Sequence, residues 1–125
     1  MFLYQVHFLL SNGSKVLIQD NLKRSPLHWA AHVGAANIIE KLLHANSDIF
    51  SLTDTMQASA LIYAAAEGHA NCIQAILGHP RILEDHKPIF DIPDAVGRTA
   101  LISAVSESRI TALAMLLRFA ASKQV

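Results

Sequence analysis

The sequence predicts an all-α solenoid, in which short helix-turn-helix units stack on one another and are joined by hairpin-like loops. Three observations carry this prediction: a motif that recurs at a nearly constant spacing, apolar residues at helical periodicity within each recurrence, and helix-ending residues at matching places. Isolated helices shorter than about 12 residues are marginal in water. The apolar face of each unit therefore needs a neighbouring unit to cover it, as in a linear repeat protein.

The recurring segments start with a helix-capping residue followed by an apolar stripe. They begin at Ser25, Ser59 and Thr99, which are 34 residues apart (25 to 59) and then 40 residues apart (59 to 99). Serine and threonine favour the N-cap position, and Pro26 suits the first position of a helix because it has no N–H to leave unpaired. The spacing then places Leu27, Ala30 and Ala31 on one helix face, by the i, i+3, i+4 rule.

A glycine turn and a second apolar helix complete each unit. Gly34 and Gly68 are expected to end the first helices, where a left-handed residue is common. Asn46 is expected to take the same conformation after the second helix, since asparagine tolerates it. The apolar stripes of the second helices contain Ile38, Ile39, Leu42 and Leu43, then Cys72, Ile73, Ile76 and Leu77, then Ala112, Leu113, Leu116 and Leu117.

These units resemble the ankyrin repeat, which is marked by T-P-L-H-x-A in a unit of about 33 residues. The matching residues are Ser25-Pro26-Leu27-His28-Trp29-Ala30, and the next two units keep the frame but lose the proline and histidine. The resemblance covers nearly the whole chain. It implies repeats at residues 23–56, 57–96 and 97–125, behind a half repeat at 1–22 in which Asp20 occupies the family's hairpin aspartate position.

The departures from the family pattern predict local differences. Lys23 and Gln57 stand where the third hairpin has Gly97, so the first two tips are expected to be looser or differently turned. Ser108 replaces the glycine between the two helices of the third repeat. Segment 78–94 is about six residues longer than the repeat period requires. We expect it to be an extended loop, in which residues 89–92 either tuck against the stack or contact a partner.

Both ends of the chain look cut, because it starts inside a second helix and stops just after one. The expectation is therefore a fragment of a longer array, with further ankyrin repeats covering the apolar ends. The alternative is a small protein that associates with itself end to end.

The resemblance implies a protein or peptide partner bound in a concave groove of hairpin tips and first helices. The predicted partner-binding residues are Leu22, Arg24, Met56, Val96 and Arg98 at the tips and Trp29, His32, Val33, Tyr63 and Glu67 on the helices. Leu22, Met56 and Val96 are apolar where a solvated tip is normally polar. Trp29 and Tyr63 either anchor the partner, as exposed aromatic residues often do, or pack between adjacent repeats.

Composition and motifs give little support for other classes of function. The 125 residues include ten basic and ten acidic side chains, so net charge does not favour nucleic acid or an anionic membrane. No apolar run approaches the roughly 18 residues of a membrane span. The single cysteine, Cys72, excludes an internal disulfide and favours a cytoplasmic or nuclear location, and it aligns with a core position.

Catalytic and metal-binding motifs are incomplete in this sequence. His28 and His32 have a spacing that can hold a metal, but the glutamate of H-E-x-x-H is missing between them. The resemblance instead implies a structural role for His28, in which its ring forms a hydrogen bond with the backbone near its hairpin. The prediction is a non-catalytic scaffold or adaptor without cofactor or metal. The alternative is a regulatory or targeting segment of a larger enzyme or channel whose active part lies outside this chain.

Overall fold

A computed structural model describes residues 14–84 and 90–122 as a two-layered stack of helices. The first layer contains α1 (Pro26–Val33), α3 (Ala60–Glu67) and α6 (Ala100–Ser106). The second contains α2 (Ala36–Ala45), α4 (Ala70–Leu77) and α7 (Ile110–Ser122). Within the described residues these elements are helices without a sheet, so the predicted all-α class is confirmed. The half repeat predicted at 1–22 lies largely outside the described residues.

Each layer is built by contact between the same helix of successive units. Helix α1 packs on α3 and α3 on α6, while α2 packs on α4 and α4 on α7. The small residues of the first helices, Ala30, Ala31, Ala64, Ala65 and Ala104, are completely buried. The lack of bulk at these positions lets neighbouring helices approach closely. The predicted apolar stripe of the second helices is buried as well in the first two units, whereas in the last unit Leu113 is partly buried and Leu117 is 51% exposed.

The first helices begin with the predicted caps. The hydroxyls of Ser25, Ser59 and Thr99 each accept a hydrogen bond from the backbone N–H three residues later. Such a cap satisfies one of the N–H groups that a helix start leaves unpaired. In the first unit the His28 side chain also accepts from the Ser25 N–H, which completes a reciprocal capping box.

The turn between the two helices of a unit holds a side chain from the next unit. Gly34 and Gly68 have φ angles of 83° and 79°. The ring of His69 lies above Gly34, with its Nε2 3.1 Å from the His32 carbonyl oxygen. The side chain of Arg109 lies above Gly68 in the same way, and its Nε donates to the Ala66 carbonyl at 3.0 Å. Glycine there avoids both the strain of a left-handed residue with a Cβ and a clash with the next unit, whereas Ser108 takes φ 57° at the equivalent turn of the last unit.

Two expectations about connecting segments were wrong. Asn46 is extended, with φ −160°, because its side chain instead accepts from the Asp48 N–H and caps a 3-10 helix, Ser47–Ser51. Part of the expected loop 78–94 forms a short helix, α5 (Pro80–Glu84). Proline is tolerated in a first turn, Ile82 is fully buried, and Arg81 bonds the Ser47 hydroxyl at 2.6 Å.

The end of segment 78–94 has one buried and one exposed apolar side chain. Phe90 is buried against the core, whereas Ile92 is 49% exposed. Within the predicted segment 89–92, Phe90 therefore packs against the stack. Residues 85–89 lie outside the described residues.

Two glycine substitutions separate the conformational from the packing requirement. Gly97 has φ 89° with nothing near an added Cβ, whereas a Cβ on Gly34 would come within 2.9 Å of the His69 ring. We expect Gly97→Ala to lower the free energy of unfolding by about 1–2 kcal/mol, the usual cost of a left-handed residue with a Cβ. Gly34→Ala should cost about 1–3 kcal/mol more because of overpacking. Urea denaturation of both variants measures this difference, and equal losses would contradict it.

Candidate functional site

Three hairpins of the same geometry form one side of the candidate site. An aspartate opens each hairpin, and its Oδ1 accepts two backbone N–H groups at 2.8 to 3.0 Å. The acceptors and their donors are Asp20 with Leu22 and Arg24, Asp54 with Met56 and Ala58, and Asp94 with Val96 and Arg98. These bonds fix the turn from inside, so all three tips have the same shape.

The shared shape corrects the expectation that the first two tips turn differently. Lys23 and Gln57 both have φ 62°, close to the 89° of Gly97. The strain of a left-handed residue with a side chain, about 1–2 kcal/mol, is offset by the bonds to the aspartate.

Consecutive tips are joined into a row by backbone hydrogen bonds. The Thr55 N–H donates to the Leu22 carbonyl at 3.0 Å, and the Ala95 N–H donates to the Met56 carbonyl at 2.7 Å. The apolar side chains at the tips stay outside, with exposures of 50% at Leu22, 53% at Met56 and 64% at Val96. The row therefore presents apolar surface at regular intervals.

In the first unit the second oxygen of the hairpin aspartate binds an arginine and a tryptophan. Asp20 Oδ2 accepts from Arg24 Nε at 2.9 Å and from Trp29 Nε1 at 3.3 Å. The Arg24 guanidinium also lies 4.3 Å from the Trp29 ring centroid, which is a cation–π distance. Burial opposes ionisation of Asp20, but the bonds from Arg24, Leu22 and Trp29 outweigh it and hold the pKa of this carboxyl below its usual value.

In the second unit the corresponding oxygen accepts from a tyrosine. The Tyr63 hydroxyl donates to Asp54 Oδ2 at 2.6 Å. Burial and this hydrogen bond raise the pKa of Tyr63 above its usual value, so the phenol stays protonated. The His32 ring lies between the two aromatic residues, 6.2 Å from Trp29 and 6.5 Å from Tyr63. Trp29 and Tyr63 are both half-buried, and their role as partner anchors stays a prediction.

His28 joins the first unit to the hairpin of the second. Its Nδ1 accepts from the Ser25 N–H at 3.1 Å, and its Nε2 lies 2.8 Å from the Ala58 carbonyl oxygen. These roles require the neutral imidazole with the proton on Nε2. Burial lowers the pKa of His28, although the Ala58 bond opposes that shift. The ring also packs edge-on against Tyr63, with 4.9 Å between centroids.

Hairpins and first helices together enclose a groove of about 460 Å³. Seven of the ten predicted residues line it: Arg24, Trp29, His32, Met56, Tyr63, Glu67 and Arg98. Leu22, Val33 and Val96 do not line it, since they are exposed on the tips and at the end of α1. Residues absent from the predicted set also line the groove: Asp54, Ala58, Ile62, Ala66, Asp94, Ser103 and Glu107. The repeat spacing from Asp20 could have found Asp54 and Asp94.

Two glutamates contribute negative charge along the helix side of the groove. Glu67 is the last residue of α3, and Glu107 follows α6 at its C-cap. Glu67 Oε2 lies 3.6 Å from His32 Nδ1, a contact that is an ion pair only when the imidazole is protonated. A carboxylate at a helix C-terminus faces the negative end of the helix dipole, which costs the helix about 0.3–1 kcal/mol.

Other candidate chemistry has limited support in the part of the chain that the structure describes. Cys72 is completely buried, and burial raises the pKa of its thiol to about 11, which suits a core residue rather than a nucleophile. Residues 14–84 and 90–122 contain no group of three or more histidine, cysteine, aspartate or glutamate side chains placed to hold a metal. None of the helices in these ranges has the length and apolarity to cross a bilayer.

Comparison with known proteins gives a family and several relatives. A family model described as ankyrin repeats (3 copies) matches residues 3–85 and 50–125. The probable 26S proteasome regulatory subunit p28 of Saccharomyces cerevisiae is 33% identical over 100 residues, which is 80% of this chain and 41% of that protein. The palmitoyltransferase AKR1 of Lachancea kluyveri is 31% identical over 118 residues, or 94% of this chain and 16% of the relative.

A plant relative matches a shorter part of the chain. The putative E3 ubiquitin-protein ligase XBAT31 of Arabidopsis thaliana is 40% identical over 55 residues, which is 44% of this chain and 12% of that protein. The chain thus spans less than half the length of each of these three relatives.

The buried His28 should make stability depend on pH. Its pKa in the folded chain lies below the ordinary 6.5, so protons bind the unfolded state more readily and the free energy of unfolding falls as pH drops below about 6.5. The slope for one such group is at most about 1.4 kcal/mol per pH unit. The free energy of unfolding is measured by urea denaturation at several pH values between about 7.5 and 5.5. It should change less steeply with pH for His28→Gln than for wild type. Equal slopes would contradict this role of His28.

Proposed function

The chain belongs to the ankyrin-repeat family, and we propose that it is a scaffold or adaptor module that binds a protein or peptide through the groove. Ankyrin repeats mediate protein–protein interaction, and the family match extends over the chain. The observation that carries the groove proposal is the row of exposed apolar tips beside a groove of about 460 Å³. Apolar side chains held out by a rigid hairpin lose little conformational entropy when a partner covers them.

The hydrogen bonds beneath the tips support this assignment. The aspartates and backbone groups hold the turns without using the side chains of Leu22, Met56 and Val96. Stability therefore gives no reason for these side chains to be apolar, whereas partner contact does. Aromatic residues at the rim of a desolvated groove are also frequent interface anchors, and Trp29 and Tyr63 both line the groove.

A second candidate function is that of a regulatory or targeting segment in a larger enzyme. The relatives named as a ligase and as a palmitoyltransferase match this chain over only 12% and 16% of their length. In such a protein the repeats bind and another part catalyses. Mass spectrometry of the immunoprecipitated endogenous protein separates the two proposals, since catalytic sequence in the same polypeptide indicates an enzyme segment and a polypeptide of binding repeats indicates a scaffold.

Removing the apolar tips should strongly weaken partner capture without unfolding the chain. The test variant is Leu22→Ser, Met56→Ser and Val96→Ser, compared with wild type in affinity capture from cell lysate and mass spectrometry. Because the three side chains are at least half exposed, the thermal midpoint should change by only a few degrees. We expect specific partners to be reduced at least about tenfold, as for loss of a small hot spot.

A matched control replaces three exposed apolar residues away from the groove. Val105, Ile110 and Leu117 are 60%, 79% and 51% exposed on the last unit, and the control changes all three to serine. It should retain the partners. Loss of partners in the control with retention in the tip variant would contradict the groove and assign binding to the end of the stack.

A further inference from the structure

The first unit contains a cation site that its own arginine occupies. The Arg24 guanidinium lies 4.3 Å from the Trp29 ring centroid and pairs with Asp20 at 2.9 Å. An aromatic face and a carboxylate thus hold a positive charge together, which combines cation–π attraction with a charge-assisted hydrogen bond.

The second unit keeps the ring and the carboxylate but lacks the cation. With a repeat spacing of 34 residues, the second unit has Tyr63 at the position of Trp29, Asp54 at that of Asp20, and Ala58 at that of Arg24. Asp54 makes no ion pair with any described residue, since its Oδ2 is bonded to the Tyr63 hydroxyl. Arg24 also lines the groove but is paired with Asp20, so it does not take the missing place.

The neighbouring charges favour a cation in this part of the groove. Six acidic and arginine side chains line the groove, two positive and four negative: Arg24 and Arg98 against Asp54, Glu67, Asp94 and Glu107. Glu107 forms no ion pair within the described part of the chain. Arg109 is not part of the lining and is held by the Ala66 carbonyl at 3.0 Å. Both glutamates lie at helix C-termini, where the helix dipole adds further negative potential.

We infer that the groove binds a basic protein segment, in which an arginine or lysine side chain lies over Tyr63 between Glu67 and Glu107. An apolar residue beside that cation contacts Met56, which is 53% exposed. An acidic segment would instead meet uncompensated carboxylates, and a wholly apolar one would leave them desolvated without a partner. This inference rests on the proposed groove function and adds the chemistry of the partner.

Selection of peptides tests the inference without knowledge of the natural partner. Random peptides displayed on phage are selected against the wild-type chain, and the recovered sequences are scored for arginine and lysine. One selected peptide is then fluorescein-labelled, and its Kd is measured by fluorescence polarisation. A matched peptide carries citrulline, which has the shape of arginine without its charge.

The protein variants separate local from general charge effects. The test variant is Glu67→Gln with Glu107→Gln, and the charge-matched control is Glu40→Gln with Asp91→Asn, two exposed residues that do not line the groove. We expect arginine or lysine to be enriched, and the test variant to bind about three- to tenfold more weakly, as for loss of two partly exposed ion pairs. Citrulline and added salt should weaken binding similarly, and the control should bind as wild type does.

Other outcomes overturn the inference in distinguishable ways. One such outcome is a set of selected peptides that lacks basic enrichment and binds more weakly to the Met56→Ser variant but not to the glutamate variant. That result would refute the basic partner and would still support binding in the groove. Peptides unaffected by both variants, or a library that yields no binder, would contradict the groove function together with this inference.

Discussion

No unit of this chain can bury its apolar residues by itself, so every unit depends on its neighbour. The first helices have eight residues or fewer, well below the length at which an isolated helix is stable in water. Small residues on one face let α1, α3 and α6 stack closely, and the second helices follow them. The glycine turns reflect the same constraint, because His69 and Arg109 of the following units occupy the space where a Cβ would be.

Stacking also determines the shape of the proposed binding surface. Once the helices are packed, the hairpins are held in a row by their aspartates, by bonds between neighbouring tips, and by His28, which bonds the Ala58 carbonyl at 2.8 Å. These interactions use backbone and buried groups and leave the tip side chains outside. The tip side chains of such a row can be changed without changing the fold, so the choice of partner can vary independently of stability. This independence supports the proposal that the tips and groove bind the partner.

The sequence predicted the layers and most of the groove, since the repeat spacing and helical periodicity place residues such as Leu27 and Tyr63 directly. It did not predict the conformations of Lys23 and Asn46, because local side-chain hydrogen bonds overrode residue preference there. The helix at Pro80–Glu84 was missed because Arg81 and Ile82 are anchored by non-local contacts. The absence of a counterpart to Arg24 in the second unit, where Ala58 takes its position, could be recognised only from the repeat alignment together with the observed cation–π pair.

Nuclear magnetic resonance tests most directly the central claim that the groove and tips form the binding surface. A phage-selected peptide would be titrated into the isotopically labelled chain, and amide shifts would be mapped on the described residues. We expect shifts to concentrate at Met56, Tyr63 and Glu67, with α2 and the exposed end at Ile110 unchanged. Shifts concentrated on α2 or around Ile110, with the hairpin tips unperturbed, would contradict it.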